Sequence, residues 1–201
     1  MNRGKLIVFE GIDGCGKSTQ LKRVATALRQ RGLDPVVTRE PTDGPWGRKI
    51  RAMAQSGQAV SPETELEWFF EDRRDHMKEV VRPALAEGRT VLSDRSYIST
   101  VAYQGARGLD AKKILADSEA EFEKPDVVLV FELTPEAGLA RVAARGGTTE
   151  PVFENLPFQE RVAAAFAALD VDGLVRIDAD REEEAIAADV AQVIERLIAS
   201  A

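Results

Sequence analysis

Residues 11–19 read GIDGCGKST, a pattern of glycines followed by Lys17 and Ser18 that suits binding of a polyphosphate. Glycines let the backbone curl so that successive N–H groups point inward at phosphate oxygens. The lysine can reach the β- and γ-phosphates, and the serine hydroxyl can ligate Mg²⁺. The segment predicts a nucleotide-binding loop for ATP and Mg²⁺, but by itself it does not separate kinases from switches, motors or ATPases. The loop residues expected to hold the nucleotide are Gly11, Gly14, Cys15, Gly16, Lys17, Ser18 and Thr19.

Two other short segments place an arginine next to a carboxylate. Asp94 and Arg95 follow one apolar run, and Arg39 and Glu40 follow another, which Pro41 ends. An aspartate just past a strand in this kind of protein can bind Mg²⁺ through water. An adjacent arginine can stabilise the negative oxygens around a transferring phosphoryl group. These segments favour phosphate chemistry at the ends of strands, with Ser18 and Asp94 as the candidate metal-binding pair.

The elements that must position these residues alternate between strands and helices. Apolar, β-branched runs predict five strands, at 5–10, 36–39, 90–93, 127–133 and 174–178. Helical spacing predicts a long helix over 66–81, kinked by Pro83, and a last helix over 186–197. This alternation is typical of the α/β P-loop NTPase fold, with a five-stranded parallel sheet and helices on both faces. Ligands of such sheets gather at the carboxyl ends of the strands.

Composition narrows the class of protein. The chain has 201 residues, which suits a single domain over 1–201, and a net charge of −7, which argues against nucleic acid binding through a broad basic surface. No apolar run approaches the roughly 20 residues of a membrane span, and no membrane partner is expected. Cys15 is the only cysteine and His76 the only histidine, which excludes an intrachain disulfide and a histidine-based metal cluster. These features predict a cytoplasmic protein.

Four segments in order resemble the thymidylate kinase family. The segment 94–104 (DRSYISTVAYQ) is similar to the family's signature, an Asp-Arg followed by a Ser and then Ala-Tyr-Gln. The loop in its FEGIDGCGKSTQ setting, at 9–20, resembles the family's opening. The segments TREP at 38–41 and FFEDR at 69–73 match two further motifs. The resemblance extends over nearly the whole chain.

The resemblance implies a role for each matching residue at the acceptor. Phe69 would stack on a thymine ring, Arg73 and Gln104 would hydrogen-bond its polar edge, and Thr100 would lie nearby. The acceptor's phosphate and sugar, and the loop around them, would be contacted by Arg39, Arg95, Asp13 and Glu40.

On the ATP side, the resemblance implies contacts from Arg141, Arg145 and Ala179. The short lid, about 145–156, contains no Arg or Lys between 146 and 155, and Glu150 stands at the expected lid position. Since the loop also lacks the basic residue that family members commonly carry there or in the lid, Arg145 or Arg141 is expected to supply the missing charge. The catalytic set implied is Lys17, Arg95, Asp13 and Arg145.

The activity implied is transfer of the γ-phosphoryl group of ATP to dTMP, giving dTDP and ADP in dTTP synthesis, by a homodimer. Two alternatives stay open from the residues alone. A deoxynucleoside kinase would use a carboxylate such as Glu40 as the base for a 5′-hydroxyl. A P-loop regulatory ATPase would read nucleotide state for a partner protein and would need no acceptor pocket.

Overall fold

A computed structural model describes residues 3–146 and 150–199 of the chain. Its sheet has five parallel strands in the order β2-β3-β1-β4-β5, which confirms the predicted fold class. The strands are β1 Leu6–Glu10, β2 Val36–Arg39, β3 Val91–Asp94, β4 Val127–Glu132 and β5 Leu174–Asp178.

Position in the sheet follows from the apolar content of each strand. β1 (LIVFE) lies in the centre and is buried along its whole length. In β2, at one edge, residues alternate between half-buried and exposed. A strand covered by helices on both faces must be apolar throughout, whereas an edge strand tolerates water on alternate side chains. The predicted strands differ from the observed ones by a residue at four ends, which is the usual uncertainty of element boundaries.

The helices surround this sheet. They are α1 Lys17–Gln30, α2 Pro45–Ser56, α3 Pro62–His76, α4 Arg82–Ala86, α5 Tyr97–Ala106, α6 Ala111–Glu121, α7 Pro135–Arg145, α8 Leu156–Ala167 and α9 Glu183–Ala199. Side-chain caps fix several starts; the Thr134 hydroxyl, for example, accepts from the backbone N–H of Ala137. The predicted long helix is α3 continued through a π-helical turn, Met77–Val81, into α4. This irregular turn ends two residues before Pro83, which has no N–H to donate.

Helices α2, α5, α6 and α8 were not predicted from periodicity. The reason is clearest for α5, in which every residue from Tyr97 to Gln104 is buried. A helix covered on all sides shows no alternation between apolar and polar faces, so it gives no amphipathic signal.

Strand register brings the predicted site residues to one edge of the sheet. Asp94 lies opposite both Phe9 of β1 and Arg39 of β2. Just past these pairs, the N–H of Glu40 donates to the carbonyl of Asp94 at 3.0 Å, and the N–H of Arg95 donates to the carbonyl of Phe9 at 3.0 Å. The glycine-rich loop and the two arginine segments therefore lie side by side.

Candidate active site

A cleft of about 690 Å³ opens at the carboxyl ends of the strands. The residues that line it include nearly all of the positions that sequence patterns and the family resemblance single out. They are Asp13, Gly14, Cys15, Gly16, Lys17, Ser18, Thr19, Arg39, Glu40, Phe69, Arg73, Asp94, Arg95, Thr100, Gln104, Arg141 and Arg145. Gly11 instead borders a smaller neighbouring cleft, and Ala179 is fully buried.

The glycine-rich loop has the backbone geometry that its glycines were expected to allow. Gly14 and Gly16 have φ values of 80° and 96°, a region that side chains disfavour. A β-carbon on Gly14 would also lie 2.1 Å from the carbonyl oxygen of Gly138 in α7. The loop therefore needs glycine both for its curl and for the close packing of α7 against it.

Lys17 and Ser18 begin helix α1, at the mouth of this loop. The Lys17 ammonium donates to the carbonyls of Gly11 at 3.0 Å and Ile12 at 2.7 Å, which holds it inside the curl. The Ser18 hydroxyl donates to the carboxylate of Asp94. The two residues suggested for metal binding are thus in direct contact. No cluster of three or more His, Cys, Asp or Glu side chains suited to a metal occurs within 3–146 and 150–199.

Arg95 lines the cleft and has an unusual backbone conformation, with φ of 76°. Its guanidinium donates to Asp13 at 2.5 Å, to the Ser99 hydroxyl at 2.9 Å and to the Tyr103 hydroxyl at 3.1 Å. Although burial raises the pKa of the Asp13 carboxyl, Arg95 and Lys17 outweigh it and hold that pKa below its usual value. The arginine is therefore held in one orientation by several partners.

A second carboxylate, Glu10, lies behind Arg95 with no exposed surface. It accepts hydrogen bonds from Ser96 at 2.7 Å and from Ser99 at 2.5 Å. Burial raises the pKa of Glu10, against the lowering effects of Ser99 and Arg95. Ser99 joins Arg95 to this carboxylate, so the arginine is supported from the core as well as from the cleft.

Arg73 lines the part of the cleft that the family resemblance assigns to the acceptor, and it is 1% exposed in a buried network. Its Nε donates to Glu40 Oε2 at 2.9 Å, and one Nη donates to Thr100 at 2.8 Å. The other Glu40 oxygen lies 2.9 Å from Nδ1 of His76. The remaining Arg73 nitrogen, Nη1, is buried without a hydrogen-bond partner among the described residues. It is therefore a donor available to a ligand.

Gln104 offers the complementary case, a buried acceptor atom in place of a buried donor. Its Nε2 donates to Glu65 at 2.6 Å, while its Oε1 is buried and has no partner in the described part of the chain. A buried polar atom without a partner is costly, and a ligand in the cleft, which both Arg73 and Gln104 line, would supply the partner. Phe69, half-buried, borders the same region of the cleft.

Arg39 differs from the other predicted arginines because its side chain is 60% exposed. It pairs with Asp43 at 2.7 Å, and Asp43 also accepts from Arg51 of α2 at 2.9 Å. Arg39 and Arg48 together with Arg51 hold the pKa of Asp43 below its usual value. The Asp43 carboxylate therefore holds Arg39 and Arg51, which both line the cleft, close to each other.

On the opposite side, α7 contributes Arg141 and Arg145 to the lining. Arg141 donates to the carbonyl of Ala179 at 3.2 Å. Ala179 directly follows β5, and it contacts Arg141 through its backbone. Arg181 borders the same side.

Part of the proposed lid packs against the cleft. Phe153 contacts Tyr103 edge-to-face with ring centroids 5.9 Å apart, and Glu150 lines the cleft. Burial, and then the charges of Asp13 and Glu154, raise the pKa of Glu150. Residues 147–149 of the lid lie outside the described residues, and the lid stays a prediction.

Some residues that line the cleft, or that contact its lining, were missed from the sequence. Arg51 lies on α2, a helix that periodicity did not predict. Its sequence signal is weak: Arg51 is an arginine that follows Arg39–Pro41 along the chain. Tyr103 is part of the signature segment but was given no role. Gln159 of α8, 1% exposed, donates to the Phe153 carbonyl at 3.0 Å and approaches Asp13 at 3.5 Å. No sequence pattern marks Gln159, because its role depends on contacts between distant segments.

The buried network at Glu40 predicts a loss of stability in acid. Burial alone would raise the pKa of Glu40, but Arg73 and His76 together lower it below its ordinary value of 4.5. The unfolded chain then binds the proton more tightly, so the contribution is present above pH 4.5 and is lost as pH falls through the folded pKa. We expect the free energy of unfolding, measured with denaturant from pH 6 to pH 3, to fall less steeply in Glu40→Gln. An equal slope in the variant and the wild type would contradict this.

A glycine-rich loop between a central strand and a helix, opening into a cleft that is also lined by arginines, is typical of a P-loop nucleoside monophosphate kinase, an enzyme of the phosphotransferase class. The family model for thymidylate kinase matches residues 9–190. The chain belongs to the thymidylate kinase family.

Individual relatives agree with the family match. The chain is 39% identical to a thymidylate kinase of Desulfotalea psychrophila, over 98% of this chain and 97% of that protein. It is 42% identical to one of Xanthomonas campestris over 91% of this chain and 79% of that protein. A third, from Akkermansia muciniphila, is 41% identical over 96% of this chain and 92% of that protein. Among the described residues, no helix is long and apolar enough to cross a membrane.

Proposed function

We propose that this chain transfers the γ-phosphoryl group of ATP to dTMP, yielding dTDP and ADP for dTTP synthesis. One observation carries the choice of acceptor. The cleft presents a buried donor without a partner, Arg73 Nη1, and a buried acceptor without a partner, Gln104 Oε1. Thymine offers the complementary pair on one edge, the O4 acceptor and the N3–H donor. Half-buried Phe69 supplies an aromatic face at the same place, which suits base stacking.

The phosphates would meet where positive charge is concentrated. Arg95, near the loop mouth, and Arg39 and Arg51, at the open end, suit the phosphate of the acceptor. Lys17 and the N–H groups of the loop suit the ATP phosphates. Asp13, held beside Arg95, would contact the acceptor sugar and phosphate through water.

The site also suits Mg²⁺, although it supplies only two oxygen ligands. Ser18 and Asp94 are in contact at the loop mouth, and both present hard oxygen atoms. Magnesium keeps several waters and takes the rest of its shell from phosphates, so a full protein cage is not needed. Ser18, and Asp94 through water, would hold the ion, which when bound neutralises charge on the ATP phosphates.

Catalysis in this arrangement is alignment together with neutralisation of charge. The acceptor is a phosphate monoester, already largely ionised near neutral pH, so no strong general base is required. Lys17 and Arg95 would face the transferring group, with Arg145 or Arg141 supplying the charge that the lid lacks. Closure of the lid segment 145–156 would exclude water and prevent hydrolysis of ATP.

The direct test is an ADP-release assay with ATP against a panel of nucleoside monophosphates. We expect dTMP to give the highest kcat/KM, with dCMP and purine nucleotides far lower. Thymidine belongs in the same panel as the control for the deoxynucleoside kinase alternative. Acceptor-independent ADP release would instead favour a regulatory ATPase.

The structure weakens the deoxynucleoside kinase alternative. Glu40, the base that this reaction would need, is 6% exposed, and both of its carboxylate oxygens are occupied by Arg73 and His76. A carboxylate in that state has a lowered pKa and is a poor acceptor for a hydroxyl proton.

Replacing Phe69 with alanine should weaken acceptor binding. Stacking of a base on an aromatic ring contributes about 1–3 kcal/mol, so the Kd for dTMP should rise by roughly fivefold to 150-fold, with little change for ATP. Isothermal titration with each nucleotide measures both constants. Phe70→Ala, on the same helix and packed against Phe122 with ring centroids 5.3 Å apart, is the matched control outside the cleft. Unchanged dTMP affinity in Phe69→Ala would assign Phe69 to the core.

Two further expectations rest on the family resemblance alone. A homodimer is proposed, and sedimentation velocity at micromolar concentration checks it. A cytoplasmic location is likewise proposed.

A further inference from the structure

A buried carboxylate outside the cleft lining contacts the side-chain amide of Gln104. Glu65 of α3 has no exposed surface, and one of its oxygens accepts from Gln104 Nε2 at 2.6 Å. Its other oxygen accepts from Arg107, at the end of α5. Arg107 in turn donates to the carbonyl of Val60 at 2.8 Å. The carboxylate is therefore held on both oxygens by the two residues that contact it.

The orientation of the Gln104 side-chain amide decides which group it presents to the cleft. Turned one way, the end of Gln104 presents an oxygen acceptor to the cleft, and turned the other way it presents an NH₂ donor. An ionised carboxylate can only accept hydrogen bonds, so Glu65 favours the orientation in which Nε2 faces it. The reverse orientation would bring two acceptors together in a buried place, which is costly. Burial raises the pKa of Glu65, and the ion pair with Arg107 opposes this.

We propose that Glu65 is a positioning residue that makes the site select thymine over cytosine, by fixing the Gln104 amide with its oxygen toward the acceptor base. This inference rests on the proposed function. Thymine presents a donor at N3 and an acceptor at C4, whereas cytosine presents an acceptor at N3 and an amino group at C4. With Gln104 Oε1 and Arg73 Nη1 fixed, cytosine would meet an acceptor with an acceptor and a donor with a donor. A site in which the wrong substrate leaves buried polar groups unpaired discriminates strongly against that substrate.

The test is Glu65→Gln, which keeps the shape of the side chain. Because Arg107 can only donate, the oxygen of a glutamine at this position would face Arg107 and its NH₂ would face Gln104, which favours the reverse orientation of the Gln104 amide. The substrates are dTMP and 5-methyl-dCMP, which both carry the methyl group and differ only at the N3–C4 edge. We expect the ratio of kcat/KM for dTMP to that for 5-methyl-dCMP to fall by about tenfold or more, through a higher KM for dTMP and a lower KM for 5-methyl-dCMP.

Glu67→Gln, an exposed position on the same helix, is the matched control and should leave the ratio unchanged. Thermal melting checks that each variant is folded. If loss of the charge partner of Arg107 unfolds Glu65→Gln, the double variant Glu65→Gln, Arg107→Gln removes that partly buried cation, and the ratio is again expected to fall.

The outcomes separate this inference from the proposed function. An unchanged ratio in a folded variant overturns the role of Glu65, and so does an equal loss of kcat/KM for both nucleotides. Neither result contradicts the proposed function of the chain. Wild-type protein that releases no ADP in response to dTMP overturns the proposed function and this inference with it.

Discussion

Replacing Arg95 with alanine should lower kcat by about 10³ or more, equivalent to at least about 4 kcal/mol of transition-state stabilisation, on the scale of arginines that stabilise phosphoryl transfer. The guanidinium is already oriented by Asp13, Ser99 and Tyr103, so little reorganisation is needed as charge develops. Single-turnover formation of dTDP, with both substrates saturating, measures the chemical step directly.

Three features make the Arg95 result interpretable. Arg95 already carries a β-carbon at φ of 76°, so alanine adds no new backbone strain at this position. Arg95→Lys retains the charge but loses the fork, and it should recover only part of the rate. Arg89→Ala is the matched control, because Arg89 precedes the other end of β3 and forms an exposed ion pair with Asp34 at 2.6 Å. Turnover within a few-fold of wild type in Arg95→Ala would remove Arg95 from the catalytic set.

Replacing Arg73 with alanine should cost about 3–5 kcal/mol of folding stability as well as affinity for dTMP. The Arg73–Glu40 pair is buried, with side chains 1% and 4% exposed and a closest N–O distance of 2.7 Å. Removing one partner of such a pair leaves an uncompensated charge in the core, which costs far more than the intact pair contributes. Denaturant unfolding at pH 7 measures the stability term, and titration of the folded fraction with dTMP measures the binding term.

The neighbouring residue provides the control for Arg73. Arg74→Ala removes an arginine from the same helix whose ion pairs, with Glu71 and Glu121, lie at the surface, so it should cost about 1 kcal/mol or less. Adding Glu40→Gln to Arg73→Ala should restore part of the lost stability, because the unpaired carboxylate is gone. A double variant no more stable than Arg73→Ala would show that the loss comes from packing alone.

Part of the candidate site could be read directly from local sequence. The loop at 11–19 depends on glycine conformations and on a lysine at a fixed spacing, all within one short segment. The same holds for Arg39–Pro41 and for Asp94 with Arg95, which directly follow apolar strands. Because parallel strands end at the same edge of the sheet, knowing the five strands was sufficient to bring these segments together.

The fold class, the glycine-rich loop and the strand-end arginines were therefore predictable from local sequence, since each follows from a short-range pattern or from strand alternation. The burial and the ion-pair partner of each charged side chain became apparent only in the folded structure. It made Arg73 a buried partner of Glu40 but left Arg39 exposed on Asp43, and it placed Glu65 and Gln159 behind the site. Burial, ion pairing and amide orientation arise from contacts between segments far apart in the chain, and such contacts leave no periodic signal in the sequence.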